Sequence, residues 1–351
     1  MQGILDLMRL KFLKFLIIFF LYEVALSEEV SQHPIFSGGY KEAVFSVSDL
    51  DSAVKFYQNV AGWDVLSKGY VSRKILNSYA LEKNIIAREV VMGNPGTERG
   101  FIRLVNFEGV DQVQIRPNAQ SWETGGIFDV NFRVLNMEKK YKELQQNNWQ
   151  SMSDPVEFSF GPFIVKEWIP RGPDGIVFAM IERVQPALKG WPNLREMSRI
   201  FNATQVVDNI EEAKDFYINK LGFRTYLEHN DVSSTEGPNV LGLPHNLTTK
   251  ISREVFILHP NGVNEGSIEL LKFYGANGRD FSSFAVPPNL GILMLRFPVY
   301  DIKKIYQLSL DERIDIIYTP IQVELNPYGS VKLMAVRGPG GVWLEFYENI
   351  D

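Results

Sequence analysis

The chain has 351 residues, enough for about two domains that each bury a core. Lys and Arg number 36 against 42 Asp and Glu, a net charge of −6 with no basic run; this argues against nucleic acid or an anionic membrane as the main partner and leaves small molecules as the expected ligands. Cysteine is absent, which excludes disulfides, thiolate metal sites, iron–sulfur clusters and Cys nucleophiles, and His33, His229, His245 and His259 are the only imidazoles.

In chain order, Arg9, Lys11 and Lys14 precede an apolar run from Phe15 to Tyr22, and Ala25 and Ser27 follow. Basic residues, a short apolar stretch and small residues at a cut near Ser27 are the order of a secretory signal, so residues 1–27 are expected to be removed from a secreted or periplasmic protein. The run is shorter than the roughly 20 residues a bilayer requires, so no stable membrane span is expected after cleavage; a retained anchor is the alternative.

Beyond about residue 36 the pattern repeats. A strand at Val44–Val47 runs through Asp49 into a helix over Ala53–Gly62 that carries Phe56 and Tyr57. A strand at Asp129–Val134 leads to a helix at Met137–Leu144, and Ala203–Val207 leads through Asp208 and Asn209 to a helix over Ala213–Gly222 with Phe216 and Tyr217. Met294–Val299 and Ile302–Leu308 start a fourth copy. Each copy closes with strands, as at Phe101–Phe107, Ile176–Glu182, Ile268–Phe273 and Val342–Tyr347. Asp or Asn before each apolar helical run supplies an N-cap. The first and third copies are offset by 159 residues at the Asp (208 − 49) and by 160 at the Gly (222 − 62), and Arg88-Glu89-Val90 recurs as Arg253-Glu254-Val255. Four βαβββ units follow, over 40–115, 121–186, 196–278 and 289–349, and the fold class is α+β. One unit cannot cover its own sheet, so units must pair around shared clefts. The turns Arg171–Gly175 (RGPDG) and Arg337–Gly341 (RGPGG) lie between strands and read as tight turns, not phosphate loops.

The segments VFSVSDLDSAVKFYQNVAGW and TQVVDNIEEAKDFYINKLGF, with the endings GSIELLKF and GPGGVWLEFYE, resemble the vicinal oxygen chelate superfamily, which includes glyoxalase I, extradiol dioxygenases and bleomycin resistance proteins. The resemblance implies two domains of paired modules, taken as 36–186 and 196–351 with a linker at 187–195. It also implies a divalent metal (Fe, Mn, Zn or Ni) that chelates two adjacent substrate oxygens, with the first and last strand of each module giving one ligand apiece. Those positions fall on Glu42, Asp129, Phe201 and Met294 in the first strands, and on Arg103, Ala179, Glu269 and Glu345 in the last. Pairing of adjacent units sets Glu42 with Asp129 and Glu269 with Glu345; pairing of outer with outer and inner with inner sets Glu42 with Glu345 and Asp129 with Glu269.

Either arrangement gives two carboxylates per cleft, fewer than the three or four donors of a conventional centre. Two functional expectations result. One is a metal-dependent lyase, isomerase or dioxygenase with Glu269, Glu345 and the loop residue His245 in catalytic roles and Glu269, Glu345, Glu42 and Asp129 as metal ligands. The other is a metal-free protein of the bleomycin-resistance type that binds or sequesters a small molecule. Arg103, at a ligand position, binds an anionic substrate, replaces the metal's charge, or pairs with Glu42 or Asp129. Trp168 and Tyr328, beside Gly/Pro turns, are expected to line the ligand site, whereas Trp122, Trp149 and Trp343 are expected in the core.

Overall fold

Period-two alternation decides which face of each strand meets the core. In β1 (Glu42–Ser46), Ala43 and Phe45 enter one apolar cluster, while Val44 enters another on the opposite face with Glu42 beside it. The same alternation recurs in β5 (Asp129–Val134), where Val130, Phe132 and Val134 are core and Asp129, Asn131 and Arg133 face away from it. The computed structural model describes residues 34–350 except Gly161. The expected signal segment at 1–27 lies outside the described residues, and among those described no helix is long and apolar enough to cross a membrane.

All four expected βαβββ modules are present. The first contains β1, β2 (Asp64–Tyr70), β3 (Ile86–Gly93) and β4 (Phe101–Glu108), and the second β5, β6 (Val156–Phe160), β7 (Phe163–Trp168) and β8 (Phe178–Gln185). The third contains β9 (Asn202–Val206), β10 (Arg224–Asp231), β11 (Ser252–His259) and β12 (Ser267–Tyr274), and the fourth β13 (Gly291–Pro298), β14 (Asp315–Glu324), β15 (Ser330–Arg337) and β16 (Trp343–Asn349). After each first strand an Asp or Asn caps a helix: α1 (Leu50–Phe56) by Asp49, α3 (Met137–Gln146) by Asn136, α4 (Ile210–Lys214) by Asn209 and α5 (Ile302–Asp311) by Asp301. Each cap side chain accepts a hydrogen bond from a first-turn N–H, which would otherwise be unsatisfied. In the third module the cap is Asn209, not Asp208, which makes the offset from Asp49 160 residues (209 − 49), the same as at the glycines. A short extra helix, α2 (Arg73–Ser78), lies between β2 and β3.

The strands form two eight-stranded curled sheets. The outer sheet runs β14-β15-β16-β13-β1-β4-β3-β2 and the inner sheet β10-β11-β12-β9-β5-β8-β7-β6. Outer modules therefore pair with each other and inner modules likewise, so neither sheet coincides with 36–186 or 196–351. Every module offers the same first-strand edge, and the pattern of its residues suits either partner. At the seams β1 runs antiparallel to β13 with Glu42 opposite Arg296, and β5 antiparallel to β9 with Asp129 opposite Thr204.

The helices and one face of each sheet share a core that includes Phe45, Trp63, Phe132, Phe178, Phe297 and Phe346. The opposite face of each sheet forms a cup. The ends of the two sheets meet closely: Ile200, just before β9, donates its N–H to the carbonyl of Gly100, just before β4. Gly100 has φ +69°, and a Cβ there would run into the Ile200 carbonyl, so glycine meets both requirements. The two RGP turns are tight turns, with Asp174 and Gly340 in the left-handed region.

Candidate functional site

Each cup is built from residues at alternate positions of the central strands, and the two differ in what fills them. In the outer cup, Glu42 (β1), Arg103 (β4), Arg296 (β13) and Glu345 (β16) are at most 2% exposed. Arg103 grips Glu42 with Nε and a terminal nitrogen at 2.8 and 3.3 Å, meets Glu89 at 2.9 Å and donates to the Asn326 carbonyl. Arg296 lies between the two acids, donating to Glu42 Oε1 at 2.6 Å and to Glu345 through Nε. Tyr79 and Tyr318 donate their hydroxyls to Glu345 Oε1 at 2.8 and 2.6 Å, and Tyr328 donates to Glu42 Oε2 at 2.8 Å. Burial opposes ionisation of Glu42, but Arg103 and Arg296 outweigh it and hold the carboxyl at about 2. On Tyr79 and Tyr318, burial and the Glu345 charge both push the hydroxyls up, so they remain donors.

Of the expectations for Arg103, the ion pair with Glu42 is the one the geometry places here. Two guanidiniums already take the acid oxygens that a divalent cation would need, so the outer residues do not fit the metal expected from the family. Tyr328 belongs to this closed network, not to an open ligand site. Arg296, Tyr79 and Tyr318 were missed in the sequence. Arg296 is two residues past Met294, on the same face of β13, and that spacing was the available signal.

The inner cup is open, with a cavity of about 370 Å³. Its floor carries Asp129, Asn131, Thr204, Asn202 and Glu269, with Glu167 of β7 alongside. Register places Asp129, Thr204 and Glu269 in one row across β5, β9 and β12. Asn131 Nδ2 lies 3.2 Å from Asp129 Oδ1, 3.0 Å from Asn202 Oδ1 and 3.3 Å from Thr204 Oγ1. Among the described residues no guanidinium bonds these acids, and burial raises all three: Asp129 to about 7 despite the Thr204 hydroxyl and Arg116, Glu167 to about 7 with help from Asp129 and against Arg133, and Glu269 to about 8 with help from Asp129 and Glu167. At one end Arg133 and Arg183 stack on Phe201 and Phe163, with ring distances of 4.6 and 3.8 Å. Their Nε atoms are buried without a hydrogen-bond partner, and burial together with Arg183 lowers Arg133 to about 10. Phe128, Val240 and Leu241 close the other end.

Asp129 and Glu269 are brought together as one of the two pairings placed them. Phe201 lines this cup, and Met294 is buried beside Tyr79 in the outer one. His229 lines the inner cup, whereas His245 is exposed in a short turn outside it and His259 is buried elsewhere, pushed down to about 4 by burial and Arg99. Trp168, expected at the ligand site, is core: it is 1% exposed, its indole donates to the Ser153 carbonyl, and its ring meets Tyr141 edge-on. Alternation on β7 turns it away from the face that carries Glu167. Glu167, Arg133 and Arg183 were missed; the last two lie four residues past Asp129 and Ala179, on the same strand face. Among the described residues no three Asp, Glu or His side chains form a group able to hold a metal ion, so the inner donor set also falls short of a conventional centre.

Residues 199–346 match the model of the Glyoxalase/Bleomycin resistance protein/Dioxygenase superfamily. Among solved structures, glyoxalase I from Zea mays is similar with a TM-score of 0.59 and 17% identity over 89% of this chain and 93% of that one. A putative dioxygenase from Bacillus subtilis is similar with a TM-score of 0.52 and 13% identity, over 89% of this chain and 86% of that one. At these identities the likeness is one of fold. A search of curated proteins finds no match. The four modules and their pairing into curled sheets give this chain the fold of those structures, and residues 199–346 are similar to the Glyoxalase/Bleomycin resistance protein/Dioxygenase superfamily, also called the vicinal oxygen chelate superfamily.

Proposed function

We propose that this is a small-molecule-binding protein with one ligand cup, in the inner sheet, and that the outer half is its scaffold. The observation that carries this reading is the contrast between the cups. Outer acids are neutralised by Arg103 and Arg296, while in the inner cavity of about 370 Å³ Arg253 pairs with Asp231 but, among the described residues, no ion pair joins Asp129 or Glu269 to Arg133 or Arg183. A concave, largely apolar site with a few converging polar groups suits a small organic ligand. The ligand is held without a metal, because the outer oxygens are committed to guanidiniums and the inner acids do not form a set of three. The basic, apolar and small-residue order of residues 1–27 supports export of the protein.

A thermal-shift screen of small organic compounds tests the reading. Compounds that raise the melting temperature of the wild type should fail to do so in Ala179→Trp, which fills the inner cup from β8. They should still act on Tyr328→Phe, which alters only the outer network. Ligand response that survives Ala179→Trp and vanishes in Tyr328→Phe would overturn the assignment. Elemental analysis of untagged protein that returned a stoichiometric divalent metal, lost on Glu269→Gln, would instead favour a metal-assisted lyase, isomerase or dioxygenase.

A further inference from the structure

We propose that the inner cup takes a small organic zwitterion, its ammonium group over Asp129 and Glu269 and its acid group against Arg133 and Arg183. The inference rests on the reading of the inner cup as the ligand site and adds the chemical class of the ligand.

Asp129 and Arg133 face the cup from one strand, four residues apart, which is about 13 Å along the backbone at 3.3 Å per residue. β8 runs parallel to β5 with Ile181 beside Arg133, so Arg183 is one cup-facing step farther from the acids. Glu269 is in the row of Asp129 across Thr204, whereas Glu167 is in the row of Arg133 across Ile181. The cup thus has an acidic floor and a cationic end, and no ion pair joins the two among the described residues.

Charge then selects the ligand. A buried ion without a partner is costly, and each pole of this cup lacks one. Among the described residues no cation bonds Asp129 or Glu269, and the buried Nε atoms of Arg133 and Arg183 have no acceptor. An organic anion would satisfy the guanidiniums and leave the acids protonated and unmatched. An amine would satisfy the acids and leave the guanidiniums bare. One molecule with both groups satisfies both ends, and its hydrocarbon part meets walls such as Ile257 and Leu271.

Isothermal titration of the purified protein with the ω-amino acids from 4-aminobutanoate to 8-aminooctanoate, each beside the alkylamine and alkanoate of equal length, tests this. At least one zwitterion should bind about tenfold or more tighter than both singly charged counterparts. Arg183→Met should abolish the advantage over the amine, and Asp129→Asn the advantage over the alkanoate, in variants whose circular dichroism matches the wild type. An amine or alkanoate that binds as tightly as its zwitterion, or a series in which no member binds, overturns the inference. In either case, screen compounds whose effect is lost in Ala179→Trp would leave the small-molecule reading standing, so the two failures are distinguishable.

Discussion

The guanidinium of Arg296 shares the outer cup with Glu42 and Glu345, and no residue of the inner cup takes that place. Arg296→Met would leave two buried carboxylates short of a partner, so the variant should lose roughly 3–5 kcal/mol of stability in urea unfolding. The two cups also respond to pH with opposite signs. Glu42 is held down at about 2 in the folded chain, so its contribution is present above the unfolded carboxyl range near 4.5 and is lost as pH falls toward 2. Asp129, Glu167 and Glu269 are raised to about 7, 7 and 8, so the folded chain binds more protons than the unfolded chain between those values and about 4. Their contribution is full below that window and falls as pH rises through it, and unliganded protein should lose stability from pH 5 to pH 8. Asp129→Asn, which cannot ionise, should flatten that decline; an equally steep decline in the variant would contradict the assignment. Glu42, Asp129, Arg103, Glu269 and Glu345 were legible in the sequence as cup-facing strand positions because they repeat a strand position from module to module. Arg296 and Glu167 were not, since which side chains converge depends on the curl of the sheet and on strands far apart in the chain.

At the scale of the element, the sequence was most informative. Alternating strands, Asp or Asn caps and amphipathic helices are set by neighbours a few residues apart, and all four modules form as their patterns predict. Asp301 accepts hydrogen bonds from the N–H groups of Lys303 and Lys304, and Asp301→Ala should cost about 1 kcal/mol in thermal or urea unfolding. Gly100→Ala combines a left-handed φ with contact against the Ile200 carbonyl, so it should cost more than the roughly 1 kcal/mol of an unfavourable conformation alone. The choice of partner strand was not legible. β1 could accept the first strand of any module on pattern alone, and the one realised, β13, is about 250 residues away in the chain.

In the molecule as a whole, each sheet takes one module from each half of the chain. Residues 34–190 expressed alone would leave the β1 and β5 edges unpaired and should give no cooperative unfolding transition, while mixing with residues 191–351 should restore one. A cooperative transition in the isolated half would contradict the pairing. The fold was readable because a duplicated pattern constrains it four times over; the ligand cup was less so, because it depends on which acids find an internal cation. The most direct test of the account is a crystal structure of the protein with the tightest-binding screen compound. The molecule should lie in the inner cup between Asp129 and Arg183, with the Glu42–Arg296–Glu345 network intact. A molecule bound in the outer cup with Arg296 displaced would contradict it.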